Sequence, residues 1–376
     1  MRPLTVGLPR MHKEAGERRD FTPSFVDFLG RVGVRRLVLE EGYGSGMGFT
    51  LEDYRQAYPA VEVGSYGDCL SQQLVCVLRC PSEDVLRALA PGTVLFSMLH
   101  YPTRPGRVAL LRERGIQAVS LDGITDETGR RLVQNLQSVG WNGVQSAFRE
   151  LARLHPRFED PARAPLKVTI LGAGAVGGHA ARAAGHYGDE ALRRRLYAAG
   201  VPGVAVTLLD YDVTGQEAFM RERLAQTDLL VDATYRPDPS RPVIPNDWVA
   251  HLPEHAVMVD LSVDPYDLSA TPPSVKGIEG IPEGTLDQYV FAPDDPVYAR
   301  MDPRIRTTHR RTALSCYSWP GVHPRECMET YGTQLQPLIR VALEMPLETL
   351  DPVQGRYFER AVARAEVSRW KPASKH

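Results

Sequence analysis

Lysine is scarce in this chain. Of the 44 basic side chains only five are lysine, so the other 39 are arginine. Codon drift in a GC-rich genome is the simplest explanation of the bias. The bias also leaves few positions at which an enzyme would find a titratable ammonium group, because a guanidinium keeps its proton at any working pH.

Paired cysteine spacings, long apolar runs and an excess of one charge are missing as well. The cysteines are odd in number and lack paired short spacings, which excludes a disulfide framework or zinc ribbon and predicts a reduced protein. They are Cys69, Cys76, Cys80, Cys316 and Cys327, with Cys76 and Cys80 read as buried strand residues. No run of 18 uncharged apolar residues and no signal-peptide core is present, so we expect a cytoplasmic protein. The net charge of −2 gives no electrostatic footprint for nucleic acid or an anionic membrane.

The chain has the composition of an ordinary globular protein, with 43% apolar and 24% charged residues. Its 376 residues suggest about two domains. In the first third, short apolar runs alternate with amphipathic segments. The predicted strands are 4–8, 36–39, 74–78, 93–99 and 118–121, and the predicted helices include 24–32, 82–90 and 108–114. This alternation predicts a parallel α/β sheet.

The pattern then changes twice along the chain. Residues 127–155 have helix-like apolar spacing and predict one long helix that bridges two domains. A second α/β unit begins at Lys167 and contains four strand-like runs. After about residue 308 the alternation stops, and helices are predicted near 327–344 and 355–369.

A glycine fingerprint opens the second unit. The strand VTIL runs into Gly172, Gly174 and Gly177, spaced G-x-G-x-x-G, and an alanine-rich helix follows. In a dinucleotide-binding fold the first glycine allows the tight turn, the second lets the backbone approach a pyrophosphate, and the third allows close helix–strand packing. The phosphates then lie at the helix N-terminus, where free N–H groups favour negative charge. The fingerprint predicts a bound dinucleotide.

The residue closing the next predicted strand is Asp210, in VTLLD. A carboxylate there would bind the ribose hydroxyls of the cofactor. Asp212 follows closely, and two carboxylates would repel a 2′-phosphate, which favours NAD over NADP. The spacing from the glycines is longer than usual, and we attribute the extra residues, 188–203, to an inserted helical turn and loop.

Six segments resemble, in order, the motifs of one known superfamily. They are GERRDFTP (16–23), EEGYGSGMGFTLEDYRQA (40–57), LFSMLH (95–100), LDGITDETGRRLV (121–133), VMVDLSVD (257–264) and YSWPGVHPRE (317–326). Their shared order carries the resemblance more than any single motif outside the glycine fingerprint. The chain resembles the alanine dehydrogenase and transhydrogenase superfamily, and more closely its lysine-forming saccharopine dehydrogenase branch.

The resemblance implies a fold and a reaction. It implies two Rossmann-like α/β domains, with the active site in the interdomain cleft. A discontinuous substrate domain would comprise 1–140 and 315–376, and the NAD-binding domain 141–314. The implied reaction is hydride transfer between nicotinamide C4 and the α-carbon of an amino acid or an opine-type secondary amine. Relatives include monomers and hexamers, so the oligomeric state stays open.

Two residues are the candidate catalytic groups. His100 matches the histidine that ends the LFSMLH strand, and imidazole can move protons near neutral pH. Arg79 stands where the family has its catalytic lysine. An arginine can hold a carboxylate by two hydrogen bonds but cannot act as a general base. Cys80, Tyr317 and Thr103 also depart from the saccharopine pattern, which argues against saccharopine itself as the substrate.

The remaining candidates bind substrate or cofactor. The resemblance places Arg18 on a carboxylate-binding arginine and Asp264 where it would contact the nicotinamide ribose or the substrate amine. Other possible carboxylate ligands are Arg130, Arg131 and Arg325. His251 and His255 are four apart, but the proline between them breaks the helix that a metal pair would need, so we expect no metal there.

Three functions remain open at this stage. The first is an NAD-dependent amino-acid oxidoreductase with amino-acid and keto-acid substrates. The second is a specialised biosynthetic reductive-amination dehydrogenase with an altered substrate, a hypothesis that the missing lysine motivates. The third is a non-catalytic NAD-binding homologue, against which His100 argues.

Overall fold

The computed structural model describes residues 4–371. Within that range the chain divides into two compact units, 4–135 with 323–371, and 136–322. The chain therefore leaves the first unit after residue 135 and returns to it after residue 322. The boundaries predicted from the sequence follow residues 140 and 314. No helix among the described residues is long and apolar enough to cross a membrane.

The first unit is built on a six-stranded, fully parallel sheet in the order β3-β2-β1-β4-β5-β6. Its strands are β1 Thr5–Leu8, β2 Arg36–Glu40, β3 Glu62–Gly64, β4 Leu74–Arg79, β5 Val94–Met98 and β6 Gln117–Ser120. The helices between them are α1 Pro23–Arg31, α2 Leu51–Ala57, α3 Tyr66–Leu70, α4 Glu83–Ala88 and α5 Pro105–Glu113. The strand order reverses between β1 and β4, and such switch points are where open α/β sheets bind ligands.

The second unit has the same architecture. Its helices are α6 Leu136–Leu154, α7 Ala175–Ala184, α8 Glu190–Ala198, α9 Tyr211–Thr214, α10 Glu217–Leu224 and α11 Asn246–Val249. Its strands are β7 Leu166–Leu171, β8 Val204–Leu209, β9 Leu229–Asp232, β10 Val257–Asp260, β11 Val290–Phe291 and β12 Thr312–Ser315. The sheet order is β11-β12-β10-β9-β7-β8, and all strands are parallel except β11.

The last part of the chain completes the core of the first unit. It forms α12 Pro324–Glu344 and α13 Tyr357–Ala365. Leu335 and Leu338 of α12 share one buried apolar cluster with Phe25 and Leu29 of α1. The first unit is therefore discontinuous in sequence.

The predicted fold class is confirmed, since both units have mostly parallel sheets flanked by helices. The predicted strands agree with the observed ones to within about two residues, and α8 lies where an inserted helical turn was expected. All five cysteines are free thiols and buried, Cys76 and Cys80 among them. The location of the active site in an interdomain cleft stays a prediction.

The long helix predicted over 127–155 is wrong at its start, because α6 begins only at Leu136. The carboxylate of Asp126 accepts hydrogen bonds from the backbone amides of Thr128 and Arg130, which closes a turn. Gly129 has a φ of 82°, in the left-handed region. A polar side chain that binds its own following backbone competes with the helix here.

Candidate functional site

The glycine fingerprint forms the strand–turn–helix that it predicts. Gly172 follows β7 with a φ of 95°, and a Cβ there would come within 2.5 Å of the Ala233 carbonyl oxygen. A Cβ on Gly177 would come within 1.9 Å of the Gly172 carbonyl oxygen, so the helix touches the turn. Gly174 is the N-cap of α7, and open space surrounds its would-be Cβ. This open space at a helix N-terminus is what a pyrophosphate requires.

Asp210 lies beside this turn. It directly follows β8, the strand paired with β7, and the Gly172 amide donates to the Leu209 carbonyl at 2.7 Å. Its exposed carboxylate accepts the Tyr211 amide and caps the short helix α9. A ribose-binding acid belongs at this position of the sheet edge, so the residues present fit a dinucleotide.

The same edge carries a buried ionic cluster that the sequence did not indicate. The Lys276 ammonium donates to Asp260 Oδ2 at 2.6 Å, to the Asp264 carbonyl at 3.1 Å and to Ser315 Oγ at 3.2 Å. Lys276 and Asp260 are almost fully buried. Burial alone would raise the pKa of Asp260, but the ammonium group lowers it. Burial and the neighbouring Asp260 raise the pKa of Asp232 to about 6.

This cluster fixes the backbone that carries Asp264. Arg236 donates to the Asp264 carboxylate at 2.7 Å, while Lys276 holds its carbonyl. The preceding Val263 has a φ of 61°, which is unusual for a β-branched residue. Strained backbone of this kind persists only when its surroundings over-determine it, and it is frequent at functional sites.

In the first unit, His100 forms a pair with a carboxylate. Its Nδ1 lies 3.2 Å from Asp122 Oδ2, and its backbone amide donates to Asp122 Oδ1 at 3.1 Å. His100 is two residues past β5 in a left-handed conformation, and Asp122 is two residues past β6, the neighbouring strand. The His100 side chain is 54% exposed, whereas that of Asp122 is buried. The ring therefore presents Nε2 outward from an anchored Nδ1.

The pKa of Asp122 shows how this pair is held. Burial alone would raise it, but hydrogen bonds from His100 and Ser120 lower it to about 2. Ser120 Oγ donates to Asp122 Oδ1 at 2.8 Å. The carboxylate is thus ionised at any physiological pH, and it orients the imidazole with its proton on Nδ1.

Arg79 ends the strand next to that of His100. Its Cα pairs with that of Met98, two residues before His100, and its Nη2 lies 3.3 Å from Glu14 Oε1. The side chain is half-buried and lines a pocket of about 500 Å³. The polar lining of that pocket includes Arg10, His12, Lys13, Glu14, Glu40 and Tyr66.

The GERRDFTP segment places its two arginines differently. Arg18, the predicted carboxylate ligand, has an exposed side chain. Arg19 is buried and forms an ion pair with Glu17 at 2.6 Å. Burial alone would raise the pKa of Glu17, but hydrogen bonds from Arg19 lower it. Arg19 also approaches the Cys327 sulfur of α12 at 3.8 Å.

The other three arginines lie in different surroundings. Arg325 donates to the carbonyls of Met47 and Gly48 in the glycine loop, and its guanidinium lies 4.4 Å from the ring centre of Phe49. Arg130 and Arg131 are exposed in the turn that precedes α6. The structure thus brings Arg79 and His100 to one sheet edge, whereas Arg130 and Arg131 lie on an exposed turn.

Sequence reasoning missed Asp122, Asp260 and Lys276. Asp122 had a usable signal, because a carboxylate just past a strand lies at the same sheet edge as His100. Asp260 closes a strand in the same way. Lys276 had none, since it lies in an irregular segment and its partners are brought to it only by the fold.

Comparison with known proteins gives a consistent result. The family model for the alanine dehydrogenase/PNT N-terminal domain matches residues 7–139. The alanine dehydrogenase of Geobacillus stearothermophilus is 24% identical over 331 residues, which cover 86% of this chain and 82% of that protein. The enzyme of the same name from Bacillus subtilis is 24% identical over 283 residues, 69% of this chain and 71% of that protein.

These matches support a relationship to the alanine dehydrogenase and transhydrogenase superfamily. Solved structures agree with its fold. An L-alanine dehydrogenase superposes with a TM-score of 0.70 at 21% identity, covering 96% of this chain and 94% of that one. A transhydrogenase from Sinorhizobium meliloti gives 0.63 at 16% identity, covering 90% and 94%. The similarity in fold thus extends across both units, whereas the saccharopine branch stays a prediction.

Proposed function

We propose that this protein is an NAD-dependent oxidoreductase acting on the CH–NH group of an amino acid or an opine-type secondary amine. The observation that carries the proposal is the His100–Asp122 pair, at a sheet edge within the family-matched segment. The alanine dehydrogenases among its relatives support an amino acid and its keto acid as the substrate class.

The second unit would hold the cofactor. The turn at Gly172, Gly174 and Gly177 would take the pyrophosphate, and Asp210 the adenosine ribose. Asp264 would contact the nicotinamide ribose or the substrate amine. When bound, the nicotinamide would accept or supply hydride at its C4.

His100 would move the proton that accompanies this change. With Nδ1 anchored on Asp122, Nε2 is the atom that takes a proton from the substrate amine or carbinolamine, or returns it. Asp122 would act as a positioning residue, because its carboxylate stabilises the imidazolium form without leaving its own partners.

The arginines would hold carboxylates. Arg79 and Arg18 are the first candidates, and Arg79 would make a clamp because its guanidinium stays protonated. Arg130 and Arg131 stay predicted ligands, as does Arg325, which would have to release the Met47 and Gly48 carbonyls to serve.

One observation favours a second candidate function, a reductive-amination dehydrogenase with an altered substrate. Arg79 replaces a lysine that the saccharopine branch uses in proton transfer, and an arginine cannot take over that task. On either proposal, the work of proton transfer falls to His100.

A substrate screen tests the proposal. Purified protein is mixed with NAD and each L-amino acid, and separately with NADH and pairs of amines and 2-keto acids, while nicotinamide absorbance is followed. We expect turnover with at least one substrate and its loss in His100→Asn, with the melting temperature unchanged. The matched control is His251→Asn, which changes an exposed histidine of the second unit that contacts Arg221. NAD binding without turnover on any substrate would contradict the proposal and identify a non-catalytic homologue.

A further inference from the structure

A second cluster of chemically active side chains lies at the opposite edge of the second sheet. His155 directly follows α6, Asp228 directly precedes β9, and His255 lies two residues before β10. One nitrogen of each ring and one carboxylate oxygen all lie within 4.8 Å of one another. The fingerprint glycines, in contrast, follow the carboxyl end of β7, so this cluster is separate from the proposed cofactor site.

The three side chains converge on one carboxylate oxygen. Asp228 Oδ1 is 2.8 Å from His255 Nε2 and 3.9 Å from His155 Nε2. The rings meet edge to face with their centres 4.6 Å apart. The histidine side chains are 14% and 26% exposed, and that of Asp228 14%, so the cluster is partly sheltered but open to solvent.

Hydrogen bonds to neighbouring backbone hold the Asp228 carboxylate in place. Asp228 Oδ2 accepts the Lys167 amide at 2.7 Å, which leaves Oδ1 facing the two rings. The Asp228 backbone bonds to Lys167 on one side and to Val257 on the other. Contacts of this kind orient metal-binding carboxylates.

Two neutral imidazoles and a carboxylate make a donor set that suits a zinc-type ion, with solvent in the remaining position. Metal-ligand distances of about 2.0–2.2 Å are within reach, because atoms this close need only small shifts to surround one ion.

Two contacts would change on binding. The first is the 2.8 Å hydrogen bond between His255 Nε2 and Asp228 Oδ1, because both atoms would turn to the ion. The Arg157 amide donates to His155 Nδ1 at 3.2 Å, and a neutral ring that ligates through Nε2 carries its proton on Nδ1. Both hydrogen bonds must therefore be released. Arg157 lies in an exposed turn after α6, so the release disturbs no core packing.

We propose that His155, Asp228 and His255 bind one divalent transition-metal ion of the zinc type. The ion would tie the end of α6 to the starts of β9 and β10. Its binding is independent of the proposed enzymatic function.

Zinc titration of the full-length, chelator-treated protein tests this site. Wild type should bind one Zn²⁺ by calorimetry, and Zn²⁺ should raise its melting temperature. Loss of a ligand in His255→Gln or Asp228→Asn should weaken binding by at least about 100-fold, since loss of outer-shell partners alone costs about 10–100-fold. Asp228→Asn keeps an acceptor for the Lys167 amide and is therefore expected to fold. It provides a second test of the site if His255→Gln fails to fold.

His251→Gln is the matched control. His251 lies in the same loop as His255 but contacts the Arg221 guanidinium, so this variant should bind Zn²⁺ as wild type does. Co²⁺ gives a second readout, with tetrahedral absorption bands expected in wild type and absent in His255→Gln. Failure of wild type to bind Zn²⁺, or equal binding by all variants, would overturn the proposal and leave a purely hydrogen-bonded cluster.

Discussion

Replacing Lys276 with methionine should destabilise the second unit strongly. Methionine preserves much of the side chain's apolar volume, so the main loss is electrostatic. The Asp260 carboxylate, which is 1% exposed, would keep Ser315 Oγ on Oδ2 but lose its cation. Breaking a buried ion pair by removing one partner costs about 3–5 kcal/mol.

The loss should depend on pH, and its sign follows from the lowered pKa of Asp260. In wild type, the ion pair stabilises the fold at neutral pH, and this contribution is lost only as the pH falls from the carboxyl's unfolded pKa through its lowered folded pKa. In the variant the stranded carboxylate is penalised at neutral pH but can take a proton in acid. The difference between the two proteins should therefore be smaller at about pH 4.5 than at neutral pH.

Urea unfolding followed by circular dichroism at neutral pH and at about pH 4.5 measures this difference. Lys167→Met is the matched control, because Lys167 is an exposed lysine of the same unit that bonds to Gln226. It should change the free energy of unfolding by less than about 0.5 kcal/mol. Equal effects of the two substitutions, or a loss of stability that does not vary with pH, would refute the reasoning.

Three further substitutions test the account. Gly174→Ala should leave the melting temperature unchanged, because its Cβ meets open space, but it should weaken NAD binding at least tenfold (about 1.4 kcal/mol) in titration calorimetry. The control Gly178→Ala also places its Cβ in open space and should bind NAD as wild type does. Asp122→Asn should lower kcat about 10- to 100-fold through loss of His100 orientation, and a pH–rate profile unchanged from wild type would contradict that role. Asp232→Asn should stabilise the protein by about 2 kcal/mol at pH 8 but little at pH 4, because the raised pKa of Asp232 makes its ionisation in the fold costly. In urea unfolding, a difference between variant and wild type that is the same at both pH values would count against this reasoning.

Much of the fold could be predicted because its signals are local. Apolar runs such as 74–78 and 257–260 form buried strands, which can be predicted without knowing which strands they pair with. The glycine fingerprint contains its strand, turn and helix within a dozen residues. The error at 127–135 was also local, because the Asp126 side chain formed a turn where apolar spacing suggested a helix.

The site was predictable only in part because its pairs depend on strand order. His100 and Asp122 meet because β5 and β6 are neighbours, and a sequence does not show which strands pair. Lys276 joins Asp260 to Ser315, which lies 39 residues further along the chain. Nothing in its own surroundings separates it from an exposed lysine such as Lys167.

The abundant arginines occur in two kinds of setting in the structure. Many arginines form exposed ion pairs, such as Arg195 with Glu159, whose contribution to stability is small. At Arg79 the resemblance predicts a change of chemistry, because a permanent cation would stand where the family has a titratable lysine. The proposed division of labour follows from this, with Arg79 binding a carboxylate and His100 moving the proton.

The most direct test of the central claim follows the hydride itself. The protein is incubated with NADH deuterated at the transferring C4 position, a 2-keto acid and ammonia or an amine, and the product is examined by mass spectrometry. The account predicts one deuterium at the product α-carbon with wild type, and none with His100→Asn at equal NADH occupancy. Product without deuterium, or no product from any pair while NADH binds, would contradict it.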